Sequence, residues 1–257
     1  MSEEKPLTLP PLEHEELLMV LNYASRLVIL KPNLDLTVER VLETISDFAG
    51  GRPTALFLYN AEQDSLSLMG TFTAGVYRRF RQTLPHGDTP LASVIRDKQF
   101  ILLPQASARP YPFPAAGPCG DGPTCLCLPL AGVETKVIGI LTVGEPAAEM
   151  LTGGNLQMLM ILATIGTLSI ENTNLFNFAT IDSLTGLFVR VLFDLHLREE
   201  AARIKRYGGS AAAFIVDIDN FKQINDRYGH QKGDQVLREL AGIIRRNIRK
   251  DVDIPCR

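Results

Sequence analysis

The chain has 257 residues, 46% hydrophobic and 21% charged, and 26 Lys and Arg against 29 Asp and Glu give a net charge of −3. This excludes a disordered chain and a broad basic field for nucleic acid, and it leaves room for one large or two small domains. The start, Met1-Ser-Glu-Glu-Lys-Pro, lacks the basic-then-apolar pattern of a secretory signal. The longest apolar stretch, Met158 to Ile170, is shorter than the roughly 20 residues a bilayer demands, so no membrane span is expected. Cys119, Cys125 and Cys127 form neither a disulfide framework nor a paired zinc spacing, and the expectation is reduced thiols in a cytoplasmic protein.

Residues 1–12 read as a charged, proline-rich tail. From Glu13, Leu17, Leu18, Leu21, Ala24, Leu27 and Val28 recur at helical spacing up to Lys31-Pro32. A second helix carries Leu36, Val38, Val41, Leu42, Ile45 and Phe48 on its apolar face and stops at Gly50-Gly51. Thr54 to Tyr59 and Ser65 to Thr71 read as a β-hairpin. His86-Gly-Asp-Thr-Pro90 offers a turn and cap for a short helix from Leu91 to Asp97, where His86 reads as polar surface rather than a ligand. Gln99 to Leu103 reads as a strand.

Six prolines and three glycines between Pro104 and Pro123 then forbid helix and central strand alike. Tyr111 and Phe113 in that loop either pack a ligand or anchor the loop. Thr124 to Ala131 and Lys136 to Val143 form a second hairpin. A long helix follows from about Thr152 or Asn155 to Phe178, apolar on more than one side, so that a second copy of itself is the economical partner.

This order of elements, with Cys127-Leu-Pro-Leu130-Ala, Val137-Ile-Gly139-Ile-Leu141 and a helix ending Ile170-Glu-Asn172-Thr-Asn-Leu175, resembles the GAF domain, a small-molecule sensor fold. A PAS-type sensor is the alternative. The resemblance implies a sensor over residues 13–172 with a ligand that the sequence does not identify. Residues 173–181 contain no Pro or Gly and read as a coupling helix, either a signal carrier or a passive spacer.

Beyond it, Leu192, Phe193, Leu195, Ala201 and Ile204 mark a helix that ends at Tyr207-Gly-Gly-Ser210. The run Ala211 to Val216 reads as a buried strand closed by Asp217 and Asp219. Carboxylates at a strand end, followed by a turn with free N–H groups and Lys222, suit a divalent ion and a phosphorylated ligand, although Asp and Asn are also ordinary turn formers. A short helix over Phe221 to Tyr228 and a longer one through Val236, Leu240 and Ile244 follow. Arg245, Arg246, Arg249 and Lys250 form either a solvated stripe or a phosphate site.

Asp217-Ile-Asp219-Asn-Phe221-Lys222-Gln-Ile-Asn225-Asp226, then Gly229-His230, then Gly233-Asp234-Gln-Val-Leu237, with Asp182-Ser-Leu-Thr-Gly-Leu187 upstream, is similar to the GGDEF domain of diguanylate cyclases. The expected fold is therefore α/β of the α+β kind: a GAF-like antiparallel sheet with flanking helices, a long coupling helix, then part of a ferredoxin-like cyclase domain over 182–257. The resemblance implies that Asp217 and the carbonyl of Ile218 hold Mg2+, that the N–H groups of Asn220, Phe221 and Lys222 cradle the phosphates of GTP, and that Asn225 and Asp234 read guanine.

It further implies condensation of two GTP into cyclic di-GMP by a homodimer. The family's signature loop would begin after Arg257, so the chain alone is expected to be inactive. Lys250 and Asp253 fall where the family places its product-inhibition site, and lysine lacks the planar bidentate contact of arginine, so inhibition is expected to be weak. The alternative is a receptor for GTP or cyclic di-GMP without turnover.

Overall fold

The computed structural model describes residues 12–27, 33–85, 91–104, 124–132, 136–249 and 252–257. The turn at His86, the proline-rich loop with Tyr111, Phe113 and Cys119, the tip of the second hairpin and Lys250 lie outside them. The chain divides into two compact units, Met1–Asn174 and Leu175–Arg257.

The first unit is built on six strands, β1 (Thr54–Asn60), β2 (Ser65–Thr73), β3 (Val76–Pro85), β4 (Ile101–Pro104), β5 (Thr124–Ala131) and β6 (Val137–Gly144). Their order is β3-β2-β1-β6-β5-β4, and every pair is antiparallel. Strand alternation sends Leu56, Leu128 and Leu141 to one face and Ala55, Phe57, Cys127 and Ile140 to the other, so the sheet has a core on both sides.

On the first face lie α1 (His14–Arg26), α2 (Leu34–Phe48) and α4 (Gly153–Thr180). Val38, Val41, Leu42 and Ile45 of α2 and Leu159 and Leu162 of α4 are buried there, each aliphatic side chain contributing about 1.5–3 kcal/mol. The Asn33 side chain caps α2 by accepting from the N–H groups of Asp35 and Leu36. The Thr54 hydroxyl donates to the Leu42 carbonyl at 3.0 Å and that of Ser46 to Arg52 at 2.7 Å, which fastens α2 to the start of β1. On the other face α3 (Leu91–Asp97) buries Leu91 and Val94.

The helix α4 is long and apolar enough, by length and composition, to cross a membrane. Its Leu156, Leu159, Leu162 and Ile170, however, lie in the core of the first unit, and a core helix meets the same criterion.

Three expectations need correction in this unit. The apolar face of α1 is narrower than its leucines suggest. Val20, Tyr23, Ala24 and Leu27 face inward, with Tyr23 edge-on to Phe48 at 5.5 Å and Arg26 paired with Asp47 at 2.9 Å. Leu17, Leu18 and Leu21 stay exposed, Leu21 by 65%, because a helix at the margin has neighbours along only one stripe. The strand β3 is additional; its Arg78, Arg79 and Arg81 mask the strand pattern and suit the sheet edge it occupies, where Arg79 pairs with Asp35 at 2.8 Å. Cys125 is disulfide-bonded, whereas Cys127 and Cys256 are free thiols; bonding depends on which sulfurs meet in space, which sequence spacing does not report.

The second unit contains the end of α4, then α5 (Arg190–Tyr207), α6 (Phe221–Tyr228) and α7 (His230–Asn247). Ala211 to Val216 is not a strand, and Ile215 is 97% exposed. An apolar run becomes a strand only when a neighbour completes its ladder. Among the described residues of this unit there are only isolated bridges, Ile181 with Phe188 and Phe188 with Cys256. The expected antiparallel sheet of the second domain is therefore not formed among them.

Candidate nucleotide-binding site

The site residues follow one another through a turn and two short-linked helices. Asp217 and Asp219 are exposed on the segment before α6, and Ile218 between them is half-buried. The Ile218 carbonyl accepts the Phe221 N–H at 3.3 Å, closing a turn over Asn220. Asn220 adopts the left-handed conformation, φ 57°, which asparagine tolerates better than most residues. Its carbonyl accepts the Gln223 N–H at 2.9 Å and its side-chain oxygen accepts from the Gln223 amide at 3.4 Å, starting α6. Lys222 stands exposed on the first turn of that helix.

Gly229, with φ 83°, ends α6 and opens α7 at once. The two helices then pack so closely that a Cβ at Gly233 would overlap the side-chain oxygen of Asn225 and come within 3.3 Å of the Phe221 ring. Only glycine allows this approach, and it brings Asn225 beside the turn of α7 that carries Asp234. The Asn225 Oδ1 is buried, yet it has no hydrogen-bond partner among the described residues. A buried acceptor without a donor costs free energy, and it marks where a ligand N–H would be welcome.

No three His, Cys, Asp or Glu side chains converge on one point among the described residues. Asp217 and Asp219 are exposed oxygen donors, and a magnesium ion that arrives with a triphosphate needs only one or two protein carboxylates.

Several charged groups expected near a ligand are engaged within the chain. Asp253 is gripped by Arg249, with Nη2 to Oδ1 at 2.6 Å and the Arg249 N–H to Oδ2 at 2.9 Å, which holds its carboxyl down at about 2. Arg245 donates to the Thr185 carbonyl at 2.7 Å.

The sequence block at Asp182 turns out to be a clamp. Its carboxylate accepts the Thr185 hydroxyl at 2.6 Å, the Thr185 N–H at 2.8 Å and the Arg257 guanidinium at 2.9 Å. The Thr185 hydroxyl first, then Arg257, hold its carboxyl down at about 2 against the desolvation that opposes them. Sequence reading found the Asp182 block but not its partner, because Arg257 lies 75 residues away.

A profile of the GAF domain matches residues 32–171, more than half of the chain, and one described as diguanylate cyclase, GGDEF domain, matches residues 179–257. The chain is similar to the diguanylate cyclase DgcS of Shewanella oneidensis, 45% identical over 71 residues, 28% of this chain and 24% of that protein. It is similar to the response regulator PleD of Caulobacter vibrioides, 43% identical over 79 residues, 31% of this chain and 17% of that protein. Diguanylate cyclase A of Treponema denticola is 32% identical over 117 residues, 44% of this chain and 32% of that protein. The matched stretches thus span less than a third of these relatives' length. Among solved structures, the GAF domain of an Acinetobacter phosphoenolpyruvate-protein phosphotransferase superposes on 64% of this chain and 97% of its own, at 12% identity and a TM-score of 0.49.

Proposed function

Since this chain belongs to the GAF-domain family and continues into the GGDEF segment of diguanylate cyclases, we propose that it serves a sensor-regulated cyclase that condenses two GTP into cyclic di-GMP. The observation that carries this reading is the buried, unpartnered oxygen of Asn225 beside the α7 turn of Asp234. Guanine presents N–H donors at N1 and N2 next to an acceptor at O6. An ionised Asp234 accepts the donors, and the Asn225 amide both gives and takes. Adenine leaves these groups unpaired, which is the basis for rejecting it.

Asp217 and the Ile218 carbonyl would hold Mg2+, which supplies charge neutralisation to the triphosphate when bound. The N–H groups at Asn220 and Lys222, joined by that of Phe221 once it releases the Ile218 carbonyl, lead into the first turn of α6, where backbone donors and the Lys222 ammonium favour phosphate. One such site holds one GTP, so the reaction needs two copies facing each other: a homodimer acting on the cytoplasmic GTP pool. A small molecule bound by the GAF domain would bias how the copies meet through α4. Product inhibition at Asp253 should be weak, since Arg249 already occupies that carboxylate.

Calorimetric titration of the chain with GTP and ATP in the presence of magnesium tests the reading. The expectation is GTP binding at least about tenfold tighter than ATP, with the preference lost in Asn225→Ala and the magnesium dependence lost in Asp217→Asn. Equal, weak affinity for both nucleotides would remove it.

A further inference from the structure

Two buried hydroxyls, Thr37 Oγ1 on α2 and Thr173 Oγ1 on α4, meet at 2.9 Å, and neither residue is more than 2% exposed. Each also reaches the carbonyl one turn back in its own helix. Thr37 Oγ1 lies 2.9 Å from the Asn33 oxygen, and Thr173 Oγ1 lies 2.8 Å from the Ser169 oxygen. A threonine hydroxyl carries a single proton. Three contacts therefore share two protons, and one of the three lacks a donor at any instant.

Two arrangements keep the hydroxyls bonded to each other. In one, Thr37 donates to Asn33 and Thr173 donates to Thr37. In the other, Thr173 donates to Ser169 and Thr37 donates to Thr173. A hydroxyl that bonds the carbonyl four residues back competes with the backbone ladder and bends the helix. The first arrangement puts that bend in α2, at the turn capped by Asn33. The second puts it in α4 between Ser169 and Thr173, directly ahead of Asn174, where the first compact unit ends.

We infer that Thr37 and Thr173 form a two-position switch that sets the bend of α4 where it leaves the sensor unit. The composition of α4 suits this use. Thr164, Thr167, Ser169 and Thr180 also donate to carbonyls four residues back, at 2.6 to 2.9 Å, so the helix yields easily. Ser169 divides its proton between Ile165 of its own helix and the Leu27 carbonyl just past α1, a second tether one turn before Thr173. A shift of the α2 amino terminus that lengthens the Thr37 to Asn33 contact favours the second arrangement and bends α4. The regulatory meaning of the switch rests on the proposal that α4 carries the sensor's state to the nucleotide-binding segment; its geometry does not.

Hydrogen exchange followed by mass spectrometry on the whole chain, over peptides within 165–180, tests the switch. Thr173→Val keeps the shape and removes the donor from α4, so Thr37 donates to Asn33, α4 straightens and its amides exchange more slowly. Thr37→Val leaves Thr173 no acceptor but Ser169, so α4 bends and exchange quickens. Each change is expected to be about fivefold, the worth of one neutral hydrogen bond, and opposite in sign. Thr37→Ser retains the hydroxyl and should keep the original rate, and Thr173→Ala repeats the sign of Thr173→Val should valine fold poorly.

A contact that merely glues the helices would quicken exchange in both Thr37→Val and Thr173→Val; that result, or no change in either, overturns the switch. GTP affinity measured on the same proteins separates the two ideas. Opposite exchange shifts without GTP binding leave the switch standing and remove the proposed function. Intact GTP binding without opposite shifts does the reverse.

Discussion

Asp182 and Arg257 are joined by two contacts of 2.9 and 3.0 Å across 75 residues, and backbone bonds on either side seal the junction: Phe188 N–H to the Pro255 carbonyl at 3.1 Å and Arg257 N–H to the Phe188 carbonyl at 2.7 Å. Residues Pro255 and Arg257 are thereby pinned to the turn that follows α4. The Asp182 carboxyl sits well below its ordinary 3.8, at about 2, so its contribution to stability is complete above the ordinary value and is lost as pH falls through the folded one. Asp182→Asn is expected to destabilise the protein at neutral pH by about 1 kcal/mol, the scale of a partly exposed pair. Thermal melts of both proteins at descending pH should show the gap closing towards about 2; a gap independent of pH would contradict the assignment.

Gly233 offers a sharper test of the candidate site. Alanine there drives its methyl into the Asn225 side chain, whose oxygen is a movable tip rather than backbone. The stability cost should be modest, about 1 kcal/mol, because the amide can rotate away. Guanine selectivity should suffer more, since the rotated amide no longer faces the base. Comparing the melting temperature with the ratio of GTP to ATP affinity in Gly233→Ala checks both halves.

The α2 cap is a purely structural prediction. Asn33→Ala removes the acceptor of two N–H groups at 3.0 and 3.3 Å and should cost about 1 kcal/mol. Chemical denaturation should show a lower midpoint with an unchanged slope.

Cys127 should be inert in the folded protein. Burial pushes its thiol up to about 12, so almost no thiolate exists near neutral pH. Iodoacetamide at pH 8 is expected to alkylate Cys256, which is only partly buried, and to reach Cys127 only after denaturant is added. Peptide mapping of the two adducts with time distinguishes them.

Much of this architecture was readable because local pattern and tertiary role coincide. Val38, Val41, Leu42 and Ile45 repeat at helical spacing and are among the residues α2 buries, and the short apolar runs expected to form two hairpins pair as β1–β2 and β5–β6. The candidate site was readable for a different reason, since Asp217 to Asp234 is contiguous and its geometry is made by a left-handed Asn220, a break at Gly229 and a close approach at Gly233.

What escaped the sequence depends on neighbours distant along the chain. The exposure of Leu17, Leu18 and Leu21 follows from where α1 ends up, and β3 was hidden by arginines that suit an edge. The partner of Asp182 is 75 residues off, and the strand expected at Ala211 lacks a ladder partner among the described residues. Periodicity cannot report any of these, because it records one segment at a time.

The bare segment from Ala211 to Val216 has a practical consequence. It is uncharged and free of proline, and after three alanines its Phe214, Ile215 and Val216 lie open to solvent, a composition that favours intermolecular cross-β ribbons. Concentrated stocks should therefore precipitate sooner than the net charge of −3 suggests, and Ile215→Lys should keep them clear by placing a gatekeeper charge between Phe214 and Val216.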